Sequence, residues 1–88
     1  MNILKCASAG TLESSDAYVE IEPASELSIH IESVVAKQFG DRIEATVRKV
    51  LADCEVQSAT VRVVDRGALE CVICARVETA VKRCGGEP

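Results

Sequence analysis

Apolar and polar residues alternate one by one at two places in the N-terminal third of the chain. In AYVEIE, residues 17–22, Ala17, Val19 and Ile21 fall on one side and Tyr18, Glu20 and Glu22 on the other. LSIHIE, residues 27–32, repeats the rule with Leu27, Ile29 and Ile31 inward. A period of two marks a strand with one buried face. The link Pro23-Ala24-Ser25-Glu26 is short, which predicts that these two strands form an antiparallel hairpin. ATVRVV, residues 59–64, predicts a third strand with Ala59, Val61 and Val63 inward, broken by Asp65-Arg66-Gly67.

The period changes between these strands. Phe39, Ile43, Val47, Val50, Leu51 and Cys54 follow the i, i+4, i+8, i+11, i+12 series of one helical face, with Asp41, Glu44 and Arg48 opposite. Gly40-Asp41 offers one start, with Asp41 as N-cap; a start several residues earlier, near Ser33, is the alternative. The last segment, ALECVICARVETAVKRC, fits two templates. As a strand it buries Leu69, Cys71, Ile73, Ala75 and Val77 but strands Val72 outside. As a helix it gathers Leu69, Val72, Ile73, Val77, Ala80, Val81 and Cys84 on one face, so its length and pattern predict a helix, ended by Gly85-Gly86.

The order is β-β-α-β-α. Each strand has one apolar face, and two amphipathic helices can cover it. The expected fold is a two-layer α+β domain with a three-stranded, mainly antiparallel sheet and two helices on one face. The 88 residues make a single domain: 1–16 an arm or irregular edge strand with a loop, 17–84 the folded core and 85–88 a tail. The other sheet face carries Tyr18, Glu20, Ser28, His30, Glu32, Thr60 and Arg62, suited to solvent or to docking in an assembly.

Composition narrows the functional classes. With Tyr18 and Phe39 as the two aromatics, the core is built from Val, Ile, Leu, Ala and Cys. A net charge of −4 repels phosphate backbones, so no nucleic-acid partner is expected. No apolar stretch approaches a membrane span, and MNILKCASAG is too short an apolar run for a signal peptide; a cytoplasmic protein without a membrane partner is expected. The five cysteines, Cys6, Cys54, Cys71, Cys74 and Cys84, are odd in number, which points to reduced thiols. Cys71-Val-Ile-Cys74 has the CxxC form, but with one histidine, His30, and no second pair it lacks the ligands of a zinc site, so no metal is expected.

Catalytic chemistry is as sparse. His30 sits mid-strand among polar neighbours, without the serine and scaffold of a hydrolytic triad. No glycine-rich phosphate loop is present. Glu20 and Glu22 alternate as solvent-facing strand residues do. The remaining stretch is GTLESSD, residues 10–16. Read by its residue types it is a turn entering a strand, with Gly10 for backbone freedom and Ser and Asp for side-chain-closed turns. Read by what it exposes, it is a loop that presents a serine to another protein.

GTLESSD with AYVEIEP after it, then VVAKQFGDRI, then VVDRGALECVICARVETAVKR, resembles the acyl carrier protein of citrate lyase, its gamma subunit, in three blocks in order from about Ala9 to Arg83. The resemblance implies that the serine after GTLE, Ser14, carries a covalent prosthetic group, a phosphoribosyl dephospho-coenzyme A joined to its oxygen through a phosphodiester. It implies a carrier that is not itself an enzyme. Acetyl and citryl thioesters would ride on the arm between the alpha (acyl transferase) and beta (lyase) subunits as citrate is cleaved to acetate and oxaloacetate. A separate prosthetic-group transferase would attach the group, so Ser14 needs exposure rather than activation. Glu13 and Asp16 would make the loop acidic and readable by a basic transferase surface. The functional thiol would belong to the arm, leaving Cys71, on the polar side of the last helix, incidental. Arg76, at the edge of that helix's apolar stripe, is either a snorkelling stem, a bridge to another subunit or a contact to the group's phosphates. A carrier in a related decarboxylase or lyase, and an unmodified scaffolding subunit, are the alternative functions.

Overall fold

The computed structural model of the chain describes residues 3–33 and 36–84. Four strands and two helices follow one another as β1 (Ala7–Gly10), β2 (Ala17–Glu22), β3 (Leu27–Ser33), α1 (Ala36–Asp53), β4 (Ala59–Asp65) and α2 (Glu70–Cys84). The domain is α+β, with both helices packed on the sheet face that carries Val19, Ile21, Val61 and Val63.

Two strand expectations need correction. The sheet has four strands in the order β1-β2-β4-β3, not three. The additional strand, β1, lies within the segment read as an arm or an edge strand. Its ASAG sequence has little strand propensity of its own. Pairing imposes the conformation, with Ala7 opposite Ile21 and Gly10 opposite Tyr18 in an antiparallel ladder. The segment before it is pinned to the end of α2, where the Cys84 carbonyl accepts from Leu4 N at 2.9 Å and Lys5 N at 3.2 Å. Ile3 is buried there.

The second correction concerns the hairpin. β2 and β3 do not pair, because β4 lies between them, antiparallel to β2 and parallel to β3. The reach of the link allows this. Five Cα steps across residues 23–26 cover up to roughly 17 Å, whereas two strand spacings are about 9.6 Å. Ala59 N bonds the Glu26 carbonyl at 3.1 Å, so the link runs over the start of β4. A parallel neighbour needs a long crossover, and α1, 18 residues long, provides the one from β3 to β4.

α1 starts before Gly40, so Asp41 is an exposed helical residue and not the cap. Of the two starts, the earlier one is found. Val47 and Leu51 are fully buried on its inner face. Its C-terminus closes with Val56 N on the Leu51 carbonyl at 2.9 Å and Glu55 N on the Ala52 carbonyl at 3.0 Å, Glu55 taking a left-handed φ of 60°. That is the Schellman pattern, with Val56 folding back into the core. The Phe39 side chain and the Gly85-Gly86 stop lie outside the described residues.

α2 buries Ile73, Val77, Ala80, Val81 and Cys84, as the helical template requires. Leu69, placed on that face by the same template, is 71% exposed. It precedes the helix as its cap, its carbonyl accepting from Val72 N at 3.0 Å and Ile73 N at 3.1 Å, so its side chain is not part of the helical stripe. Leu27, Ile29 and Ile31 at the β3 edge are half-buried against the core. Asp65, the last residue of β4, is buried at 2% exposure. It accepts from Ser33 Oγ at 2.7 Å and from Ala68 N at 2.8 Å, tying the ends of β3 and β4 to the approach of α2.

Leu51→Ala is expected to lower the unfolding free energy by about 2–5 kcal/mol, the range for a buried leucine that leaves a cavity. Leu69→Ala should change it by less than about 0.5 kcal/mol, as at an unpacked surface position. Urea unfolding of both variants checks the two assignments.

Candidate functional site

Residues 11–16 connect β1 to β2, so GTLESSD is a hairpin loop at one end of the sheet. Its entry depends on Gly10, whose φ is 93°. A Cβ there would run into the Ala17 carbonyl oxygen and come within 3.1 Å of the Arg76 Cδ methylene. Glycine is therefore required by backbone conformation and by the close passage of Arg76.

The tip is a turn closed by Asp16 N on the Glu13 carbonyl at 3.2 Å. Ser15, third of the four turn residues, has φ 66°, and Ser14, the second, is not in the left-handed region. That is the type II pattern, which normally favours glycine third. The strained Ser15 is held by the neighbouring strand, since its N–H donates to the Arg66 carbonyl at 2.8 Å and Arg66 N donates to the Asp16 carbonyl at 2.9 Å. These two bonds extend the β2–β4 ladder one step beyond its Ala17–Asp65 pair. The two adjacent serines thus differ. Ser15 is fixed through its backbone, whereas Ser14 stands exposed at the tip and has no hydrogen bond among the described residues.

Asp16 locks the base of the loop. Its Oδ1 accepts from Ala17 N at 2.7 Å and Arg76 Nε at 3.0 Å; its Oδ2 accepts from Thr11 Oγ1 at 2.6 Å and Arg76 Nη2 at 2.9 Å. Thr11 Oγ1 in turn accepts from Glu13 N at 3.2 Å. The guanidinium approaches as a fork, the geometry in which an arginine–carboxylate pair is strongest and most directional. Its hydrogen bonds, then those of Thr11 and the Ala17 amide, hold the Asp16 carboxyl well below the ordinary carboxylate range. Arg76 is thus an intramolecular tie between α2 and the loop. Because Asp16 is matched by Arg76, the outward charge of the loop comes from Glu13 alone, not from the expected acidic pair.

The other candidate chemistry stays dispersed. His30 is exposed on the open sheet face, 3.3 Å from Ser28 Oγ. On the same face Arg62 bridges Glu20 at 2.8 Å and Glu32 at 3.7 Å. Among the described residues no three His, Cys, Asp or Glu side chains come together to hold a metal. Cys6 and Cys71 are exposed free thiols, while burial pushes the Cys54, Cys74 and Cys84 thiols up. No helix among the described residues is long and apolar enough to cross a membrane.

The family model for ACP, the malonate decarboxylase delta subunit (MdcD), matches residues 5–84. Relatives named citrate lyase acyl carrier protein are more similar in sequence than a distant fold match would be. One from Haemophilus influenzae is 56% identical over 99% of this chain and 92% of its own length. One from Escherichia fergusonii is 53% identical over 94% of this chain and 88% of its own length. The chain belongs to the citrate lyase acyl carrier protein family. Among solved structures, a chain of a Pseudomonas malonate decarboxylase hetero-tetramer in complex with malonate superposes with a TM-score of 0.81. That match covers 94% of this chain and 87% of the other at 24% identity, and shows a shared fold.

For an acyl carrier protein the loop has useful properties: an unengaged serine hydroxyl at the tip and a rigid base. Sequence reasoning named Ser14 and Arg76 but missed the partners that shape the loop. Arg66 was read only as part of a strand break, and Asp16 as a turn former and an outward acidic charge rather than as the partner of Arg76. Asp16 and Arg76 are 60 residues apart in the chain, so no local pattern joins them.

A carboxyl with a depressed folded-state pKa contributes stability that is fully present above its unfolded value of about 3.9. That contribution is lost as pH falls through the lower folded value. Asp16→Asn is therefore expected to be less stable than the native chain at neutral pH, and the gap should narrow as the solution is acidified below about pH 4. Urea midpoints of both proteins along a pH series check this; a gap that widens in acid would contradict it.

Proposed function

We propose that the protein is a non-catalytic carrier subunit of a citrate lyase complex and that Ser14 is its attachment residue. The observation that carries this reading is the free Ser14 hydroxyl at the tip of a loop whose base is locked, in a chain more than half identical to citrate lyase acyl carrier proteins. A prosthetic-group transferase would attach a phosphoribosyl dephospho-coenzyme A through a phosphodiester to Ser14 Oγ. The residues fit such a group, because an exposed hydroxyl without an internal partner can be esterified with no hydrogen bond lost.

When bound, the group supplies a terminal thiol that carries acetyl and citryl units between the alpha (acyl transferase) and beta (lyase) subunits. The chain's own residues hold and present it. Thr11, Asp16 and Arg76 fix the loop base, Arg66 fixes Ser15, and Ser14 takes the covalent bond. Tethering raises the effective concentration of the arm at both partner sites. The protein needs no base or metal of its own for this task, and it would act in the cytoplasm.

A second reading is favoured by the family model, whose description is a malonate decarboxylase subunit, and by the fold of the Pseudomonas complex. The same loop would then serve a decarboxylase. The substrate used by the complex isolated from the protein's own host separates the two: citrate for the first, malonate for the second.

Protein purified from that host during growth on citrate is expected to show excess mass on a peptide containing Ser14, matching the proposed group. Ser14→Ala should lose that mass and reduce citrate cleavage by the complex to background, with stability changed by no more than about 0.5 kcal/mol. Full cleavage with Ser14→Ala would instead make the subunit an unmodified scaffold.

A further inference from the structure

We propose that Arg66 holds the phosphate ester at Ser14, acting as the counter-ion of the attachment site. This rests on the carrier reading above. A phosphodiester on Ser14 Oγ adds a negative charge beside the exposed carboxylate of Glu13. Such a charge beside a carboxylate is favoured by a neighbouring cation, and Arg76 and Arg83 are committed elsewhere. Arg76 is spent on Asp16 through Nε and Nη2. Arg83, whose Nη1 donates to the Ser8 carbonyl at 2.8 Å, is directed at β1. Arg66 remains.

Its placement brackets Ser14. The backbone of Arg66 bonds residues 15 and 16, on the C-terminal side of Ser14. Its side chain reaches the N-terminal side, where Nε donates to the Leu12 carbonyl at 3.1 Å. Leu12 and Ser14 are separated by two Cα steps, at most about 7.6 Å. A guanidinium on one and a seryl phosphate on the other, reaching toward each other, close that span. Arg66 is exposed, and its terminal Nη groups have no partner among the described residues.

The planar guanidinium explains why an arginine serves here. One edge is used by the loop carbonyl, and the other still presents two N–H donors in the fork that fits two phosphate oxygens. A lysine has a single ammonium and cannot hold the loop and the phosphate in the same fixed relation. The β2–β4 register sets the position: with Ala17 opposite Asp65, the next residue of β4's extension necessarily lies beside the loop. Gly67, φ 90°, turns the chain away immediately afterwards and leaves open space next to the arginine.

The test uses loaded protein purified from its own host, with mass mapping of Ser14 as a first readout and magnetic resonance as the second. In the loaded native protein the phosphodiester ³¹P signal should move as salt is raised, because an exposed ion pair is screened. In loaded Arg66→Lys it should already lie displaced and respond less to salt. The pyrophosphate signals of the same group provide an internal reference, and Arg48→Ala on α1 should leave every phosphorus signal in place. In the native protein the Arg66 side-chain nitrogen signals should shift between unloaded and loaded forms, a reading that needs no variant. Excess mass at Ser14 with unmoved Arg66 nitrogens and identical ³¹P positions in native and Arg66→Lys proteins would overturn the role of Arg66 while leaving the carrier reading intact. Absence of the group from Ser14 would overturn both.

Discussion

The Asp16–Arg76 fork is the interaction on which the rest of the site depends. It joins the last helix to the root of a loop formed sixty residues earlier, and it consumes both oxygens of the carboxylate. Other features accommodate it. Gly10 has no side chain where the Arg76 stem passes. Thr11 donates to the same carboxylate and turns back to Glu13. α2 can deliver the arginine only because its apolar face is packed over β1 and β2. Helix packing therefore sets loop geometry. A change in how α2 sits on the sheet would be felt first at the loop base, through Asp16, and from there at Ser14.

The architecture separates stability from chemistry. The core lies between the two helices and one face of the sheet, where Val47, Leu51, Val61, Val63 and Val77 are fully buried. The loop stands at the end of that sheet and contributes little apolar burial. Its order comes from directional polar bonds, two of them in the ladder extension to Arg66. Such a design suits a carrier. In the proposed role the serine would be met by larger proteins in turn, so it would have to be accessible, yet with its direction fixed so that an attached arm starts from a defined point. A mobile loop would give access without direction, and a buried serine direction without access. Acyl carriers of fatty-acid synthesis resemble helical bundles; a strand hairpin is a different solution to the same task.

Much of this was legible in the sequence, and the failures have definite causes. Strict alternation in β2 and β4 and the 3.6 period of both helices identified the elements, because one-sided burial is written directly into residue order. The edge strand β1 was one of two open readings of residues 1–16, since Ala-Ser-Ala-Gly becomes a strand only through its pairing with β2. The insertion of β4 between β2 and β3 was missed because a four-residue link is compatible both with a hairpin and with a step over one strand. Leu69 was misplaced because periodicity does not show where a helix begins. At the site, the exposed loop was legible from the residue types of GTLESSD, and the attachment role of Ser14 rests on the family likeness. The roles of Asp16, Arg66 and Arg76 were not legible, because ionic partners distant in the chain leave no periodic trace.

The central claim is that polar bonds hold the Ser14 loop in one shape. Backbone ¹⁵N relaxation over residues 11–16, in the native protein and in Arg76→Ala, tests it most directly. The account predicts order parameters near 0.85 for Ser15 and Asp16 in the native protein, the level of rigid backbone, falling toward about 0.6 when Arg76 is removed. Values already below about 0.6 in the native protein, unchanged by the substitution, would contradict it.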